Sequence, residues 1–253
     1  MVAHGDVDGR RVVLRRLDTF ATLDAWAEWL ARTPAWVGGF DFPFGLPREL
    51  VVQLGWPLQW QALMTHYAAL SRVEIRTEFA AFCAGRPVGG KFAHRATDGP
   101  AGSSPSMKWV NPPVAFMLHA GVPRLLAAGA CLPGLHVPPR ESCQRIALEA
   151  YPGLLARELI GRRSYKADDR ARQTPQRHAA RADLLDVLVT SGSARLGLRL
   201  ALETAQRDIL LADAQGDRID AVLCLLQAAW AASQPAWGLP GSIDPLEGWI
   251  VSA

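Results

Sequence analysis

Residues 10–17 place a short apolar stretch, Val12 to Leu14, between pairs of arginines and predict a strand. From 21 to 31 the apolar positions shift to helical spacing, with Leu23, Trp26, Ala27 and Leu30 on one face. Residues 35–40 return to a short buried strand that runs into Asp41 and breaks at once on Pro43 and Gly45. Strand, helix, strand is the grammar of an α/β fold.

Downstream, residues 47–85 carry apolar side chains at helical spacing, interrupted at Gly55-Trp56-Pro57 and at Leu70-Ser71. Residues 86–113 are rich in Gly, Pro and Ser and predict a long loop. Loops beyond about 15 residues inside a compact domain are usually functional or disordered, and this one holds Lys91, His94, Arg95, Lys108 and Asn111. Helices are expected at 113–120 and 123–128, and a second core strand at 145–149, ending on Glu149. Further helices are expected at 154–159, 178–189, 196–209 and 217–232, before a Pro- and Gly-punctuated tail over 233–253. The expected organisation is one domain over 1–253, with a helical and loop insertion at 48–140 between core strands.

The size of the chain, 253 residues with 49% hydrophobic, is enough for a sizeable core. No run approaches the roughly 20 apolar residues of a membrane span, and the first residues do not read as a signal peptide. The expected setting is therefore the cytoplasm, with no membrane partner. Cys83, Cys131, Cys143 and Cys224 lack CxxC spacing, so neither a zinc site nor a disulfide framework is expected. The net charge of +3 is mild, but its distribution is uneven. Between 161 and 181, Arg162, Arg163, Lys166, Arg170, Arg172, Arg177 and Arg181 face only Asp168 and Asp169. Such a stretch is either a solvated helix face or a nucleic-acid contact.

The candidate chemistry is acidic. Asp41 ends a strand, where open α/β sheets present residues to a ligand crevice, and Glu149 repeats that arrangement. Asp217 and Asp220 are three residues apart, so on a helix their carboxylates lie roughly 60° apart on one side. Hard oxygen donors of this kind suit magnesium or manganese, with Asp41, Asp217 and Asp220 as ligands. Structural roles compete with each assignment. Asp41 could start a turn, Asp217 could cap its helix, and Glu149 could pair with an arginine of the basic segment. Asp220 is hardest to explain structurally, because the residues after it are apolar on nearly every face. Tyr165 could be packing and Lys166 a surface lysine.

Asp41-Phe42-Pro43-Phe44-Gly45-Leu46-Pro47, Glu149-Ala150-Tyr151-Pro152, Tyr165-Lys166 and Asp217-Arg218-Ile219-Asp220-Ala221 together resemble the bacterial and archaeal family numbered 429 among the domains of unknown function. The likeness spans about residues 12–251. It implies a ribonuclease-H-like fold, a mixed sheet flanked by helices, and a nuclease using two magnesium or manganese ions. It further implies metal ligation by Asp41, Asp217 and Asp220, with Glu149 beside them as a fourth catalytic acid. Lys91, His94, Arg95, Asn111, Tyr165 and Lys166 would contact the substrate, a nucleic acid. The family opens with an apolar strand ending in Gly-x-Asp, the central strand and source of one ligand, which residues 1–9 here do not supply. Asp6 and Asp8 read instead as turn residues of a hairpin. Either the chain begins downstream of such a strand or it lacks that ligand. The corresponding expectation is poor solubility or a homodimer formed through the gap. The alternatives to a nuclease are a catalytically incomplete nucleic-acid or protein-binding module and a phosphohydrolase of small phosphorylated substrates.

Overall fold

The computed structural model describes residues 1–138 and 143–253. Its architecture is mixed α/β, with two small sheets and ten α-helices among the described residues. β1 (Val2–Asp8) and β2 (Arg11–Asp18) form an antiparallel hairpin, and β5 (Arg199–Ala201) lies parallel to β2 on its other side. β3 (Trp36–Phe40) and β4 (Arg145–Glu149) form a separate parallel pair in the register Phe40 to Glu149.

Three expectations about elements need correcting. Residues 2–8 form a strand, and Asp6 lies within it, opposite Val13, rather than in a turn. Its polar sequence gives little strand signal of its own. The strand exists because β2 satisfies its backbone and a late helix closes on one face. Residues 199–201 are strand where helix was expected, and the period is visible in retrospect: Leu198 and Leu200 are buried while Arg199 is exposed. The helices expected at 113–120 and 123–128 are one, α6 (Val114–Ala127), with Pro123 inside it.

Elsewhere the helical periods match the elements. α1 (Leu23–Arg32) is capped by Thr22, whose hydroxyl accepts from the Ala25 N–H. Between β3 and β4 run α2 (Arg48–Gln53), α3 (Trp60–Ala69), α4 (Arg72–Ala84), the single turn α5 (Asp98–Ala101) and α6. The apolar faces of α2, α3, α4 and α6 build one core around Leu46, Leu63, Tyr67, Phe79 and Leu118. The last two residues of the expected 48–140 insertion lie outside the described residues. α7 (Pro152–Ile160), α8 (Pro175–Thr190), α9 (Thr204–Ala212) and α10 (Asp217–Ala232) form a second core with β2.

α10 ties the two sheets together. It packs against β1 and β2 as well as β3. Glycine makes this approach possible on both sides. A Cβ on Gly39 would stand 2.5 Å from the Cys224 carbonyl oxygen, and one on Gly5 would stand 2.9 Å from the Leu225 side chain.

Cys131 and Cys143 form a disulfide, contrary to the expectation of none. The Cys131 N–H donates to the Arg145 carbonyl and its own carbonyl accepts from Ala147. That pairing lays residue 131 along β4 and brings the two Cα atoms to 5.8 Å, a distance suited to a bridge. No helix among the described residues is long and apolar enough to cross a membrane.

Candidate functional site

The site sits at the N-terminus of α10. Gly216 precedes the helix with φ +79°, and a Cβ there would lie 2.7 Å from the Lys166 Cβ. A side chain at 216 would thus be strained and would push the segment carrying Tyr165 and Lys166 away. That segment is fixed from two further directions. Ala167 donates to the Ala214 carbonyl, and the buried Arg181 donates through Nη1 to the Tyr165 carbonyl at 2.8 Å.

Asp220, one turn into α10, is buried. Tyr165 donates its hydroxyl to one carboxylate oxygen and Lys166 donates its ammonium to the other. Burial raises the Asp220 pKa, and the bonds from Lys166 and Tyr165 only partly offset it. Burial also works against the Lys166 charge, but Asp220, Asp41 and Asp217 outweigh it and hold the ammonium more firmly.

Asp41 follows β3 at a tight bend, where the Phe42 N–H returns to the Phe40 carbonyl. Its pKa is raised to about 7, first by burial and then by the charge of Asp220, with Asp217 and Glu149 adding to it and Lys166 opposing. Its carboxylate makes no hydrogen bond among the described residues. Asp217 is exposed at the first turn of α10. Asp41, Asp217, Asp220, Tyr165 and Lys166 therefore make one electrostatically coupled group, drawn from β3, α10 and the segment before α8.

Glu149 is held apart from that group. Its two oxygens accept from Arg95 Nη2 at 2.7 Å and Nη1 at 2.8 Å, and the Phe44 N–H adds 2.9 Å. Arg95 also binds Asp98 and the Glu247 carbonyl. The partner of Glu149 is thus an arginine of the long loop, not of the basic segment. Arg95 is 3% exposed and its donors are occupied, so it does not stand at the surface as a phosphate-contacting cation. Nothing local in the sequence links Asp98 and Glu247 to residue 149. Lys91, His94 and Asn111 are exposed and make no hydrogen bond to the acidic group among the described residues.

The basic segment is also thinner as a surface than its sequence suggests. Arg181 is buried, Lys166 is spent on Asp220, and Arg163 pairs with Asp183 at 2.6 Å. Arg162, Arg170 and Arg172 remain as exposed cations.

Beside Asp41 opens a cleft of about 1000 Å³ between β1 and β3, with Cys224 and Leu225 of α10 also lining it. Asp217 and Asp220 line the same cleft. Among the described residues, no three or more His, Cys, Asp or Glu side chains are placed to hold a metal ion together. Comparison of the chain with protein-family models, with curated proteins and with solved structures found no match.

Proposed function

We propose that the protein is a metal-dependent phosphodiester hydrolase acting on nucleic acid, a distant ribonuclease-H-like relative of the family numbered 429. The observation that carries this reading is Asp41: a desolvated carboxylate at a strand end, without a hydrogen bond among the described residues, against Asp220 and Asp217. The buried Asp220 carboxylate, the part-buried Asp41 and the exposed Asp217 are brought together against their mutual repulsion, and a divalent cation would relieve it.

The donor set fits such an ion in part. Among the described residues Asp41 and Asp217 are the acids of the group with free oxygens, whereas Asp220 would join only by exchanging Lys166. Bound magnesium or manganese would supply Lewis-acid stabilisation of charge on a phosphoryl oxygen. Lys166, released from Asp220, is placed to neutralise substrate phosphate. Tyr165 holds the other Asp220 oxygen in position. Arg162, Arg170 and Arg172 offer the nucleic-acid backbone a sequence-independent contact, which weakens steeply with salt. Glu149 enters this reading as the anchor of the loop that carries Arg95, not as a ligand.

The alternative of a binding module that does not cut is favoured by one observation. Lys166 already fills the charge-neutralising position beside Asp220, so that carboxylate has a cation partner without metal. Cleavage of labelled single- and double-stranded DNA and RNA in magnesium or manganese separates the two. Cleavage by the parent, lost in Asp41→Asn, is the expected result. A folded parent that binds nucleic acid without cutting it would leave the binding module.

A further inference from the structure

The edge of β1 facing away from β2 and the edge of β3 facing away from β4 have no strand partner among the described residues. Both edges line the same cleft: residues 1–6 along one wall and residues 35–40 along the other. α10 lies against both strands, so the edges are held on a common support rather than on parts free to close up. The rest of the lining is mostly apolar, with the charges of Arg15, Arg72, Asp41, Asp217 and Asp220 among it. Trp26, Trp29 and Phe116 stand with Ala221, Cys224 and Leu225.

Two facing strand edges present rows of backbone donors and acceptors that a small apolar molecule cannot satisfy. One extended polypeptide satisfies both rows at once, because strands neighbour each other at about 4.8 Å and expose amide groups on each side. The apolar surroundings then specify its side chains. A strand between two covered faces is apolar on both, and does not alternate. β3 offers five residues of edge, which sets the length of chain it can pair.

We propose that this cleft binds an extended, apolar peptide strand of about five residues, which pairs with β1 and β3 and joins the two sheets into one. The recognition is by backbone pairing and apolar burial, so it is separate from the hydrolase reading and holds whether or not the acidic group binds metal. The occupant would also cover the Asp41 end of the cleft, which places the acidic group next to its own backbone.

The test uses a synthetic peptide of five alternating valine and isoleucine residues with a lysine at each end for solubility. Trp26, Trp29 and Trp36 line the cleft and report occupancy through their fluorescence. A saturable fluorescence change and a melting temperature that rises with peptide concentration are expected. A peptide with proline at its centre lacks the amide hydrogen and should bind roughly tenfold more weakly or worse. Val37→Lys, at an exposed position in the β3 wall, should weaken the parent peptide similarly, and Leu225→Lys on the floor should do the same. Val88→Lys, exposed and remote from the cleft lining, should leave it unchanged. Equal binding of the proline peptide would show an unspecific apolar surface and overturn the proposal, as would no binding by either peptide. Self-association of the protein that Val37→Lys abolishes would make a second copy the occupant, and would overturn it too.

Discussion

Arg95 holds both carboxylate oxygens of Glu149 with its two terminal nitrogens, across 54 residues of sequence, and both side chains are all but sealed from solvent. The same guanidinium reaches Asp98 and the Glu247 carbonyl. A single arginine thereby joins the long loop, the end of β4 and the C-terminal tail. The pair can be essential to the fold without taking part in chemistry.

Arg95→Ala leaves Glu149 and Asp98 as buried acids without their cation. Removing one partner of a buried pair costs about 3–5 kcal/mol. Urea unfolding should show a loss of that order. A loss under 1 kcal/mol would mean that water reaches the pair. Glu149→Gln should likewise reduce stability, and any activity that survives folding should keep its metal affinity.

Asp41 makes stability depend on pH in a stated direction. Its folded pKa is about 7 against an ordinary 3.8, so the folded state holds this proton more tightly than the unfolded state does. Stability therefore falls as pH rises from about 4 to about 7 and is flat beyond. Asp41→Asn removes the penalty. Its stability gain should be near zero at pH 3.5, grow through that window and level above pH 7, reaching about 1–3 kcal/mol. A gain independent of pH, measured by thermal unfolding in chelator, would place Asp41 in water. Because the variant is expected to be more stable, loss of cleavage in it cannot be ascribed to unfolding.

Lys166 and Tyr165 share the carboxylate of Asp220. Lys166 is 43% exposed at its side chain, so solvent screens the pair, and its coupling to Asp220 in a double-mutant cycle with Lys166→Met and Asp220→Asn should be about 1 kcal/mol. Tyr165→Phe removes a buried donor and should cost about 1–3 kcal/mol. If the lysine variant proves the more damaging of the two, the exposure argument fails.

The thiols give a chemical check on the topology. Cys83 and Cys224 are buried and free, and Cys131 is bridged to Cys143. The native protein should show no thiol reactive to a bulky disulfide reagent, and the denatured unreduced protein should show two. Closing a loop of 12 residues constrains the unfolded chain by about 3 kcal/mol. Reduction should lower the unfolding free energy by up to that amount.

What could be read from the chain alone were features written in neighbouring residues. The helical periods of α1, α3, α4 and α10, the strands at β2, β3 and β4, and the placement of Asp41 and Glu149 at strand ends all follow from local spacing and from Pro and Gly breaks. The burial of Asp220 was legible too, since the apolar run after it leaves no polar face. The tertiary structure decided everything that depends on which distant segments meet. β1 is a strand only because β2 pairs with it, and β5 only because β2 lies beside it. Cys131 meets Cys143 because residue 131 lies along β4. Glu149 is paired because the long loop carries Arg95 to it, and Asp41 is charge-coupled because β3 and α10 bring it to Asp220. Periodicity reports which face of an element is buried, whereas the partner on that face is set by the packing of the whole chain, where charge, desolvation and backbone pairing are resolved together.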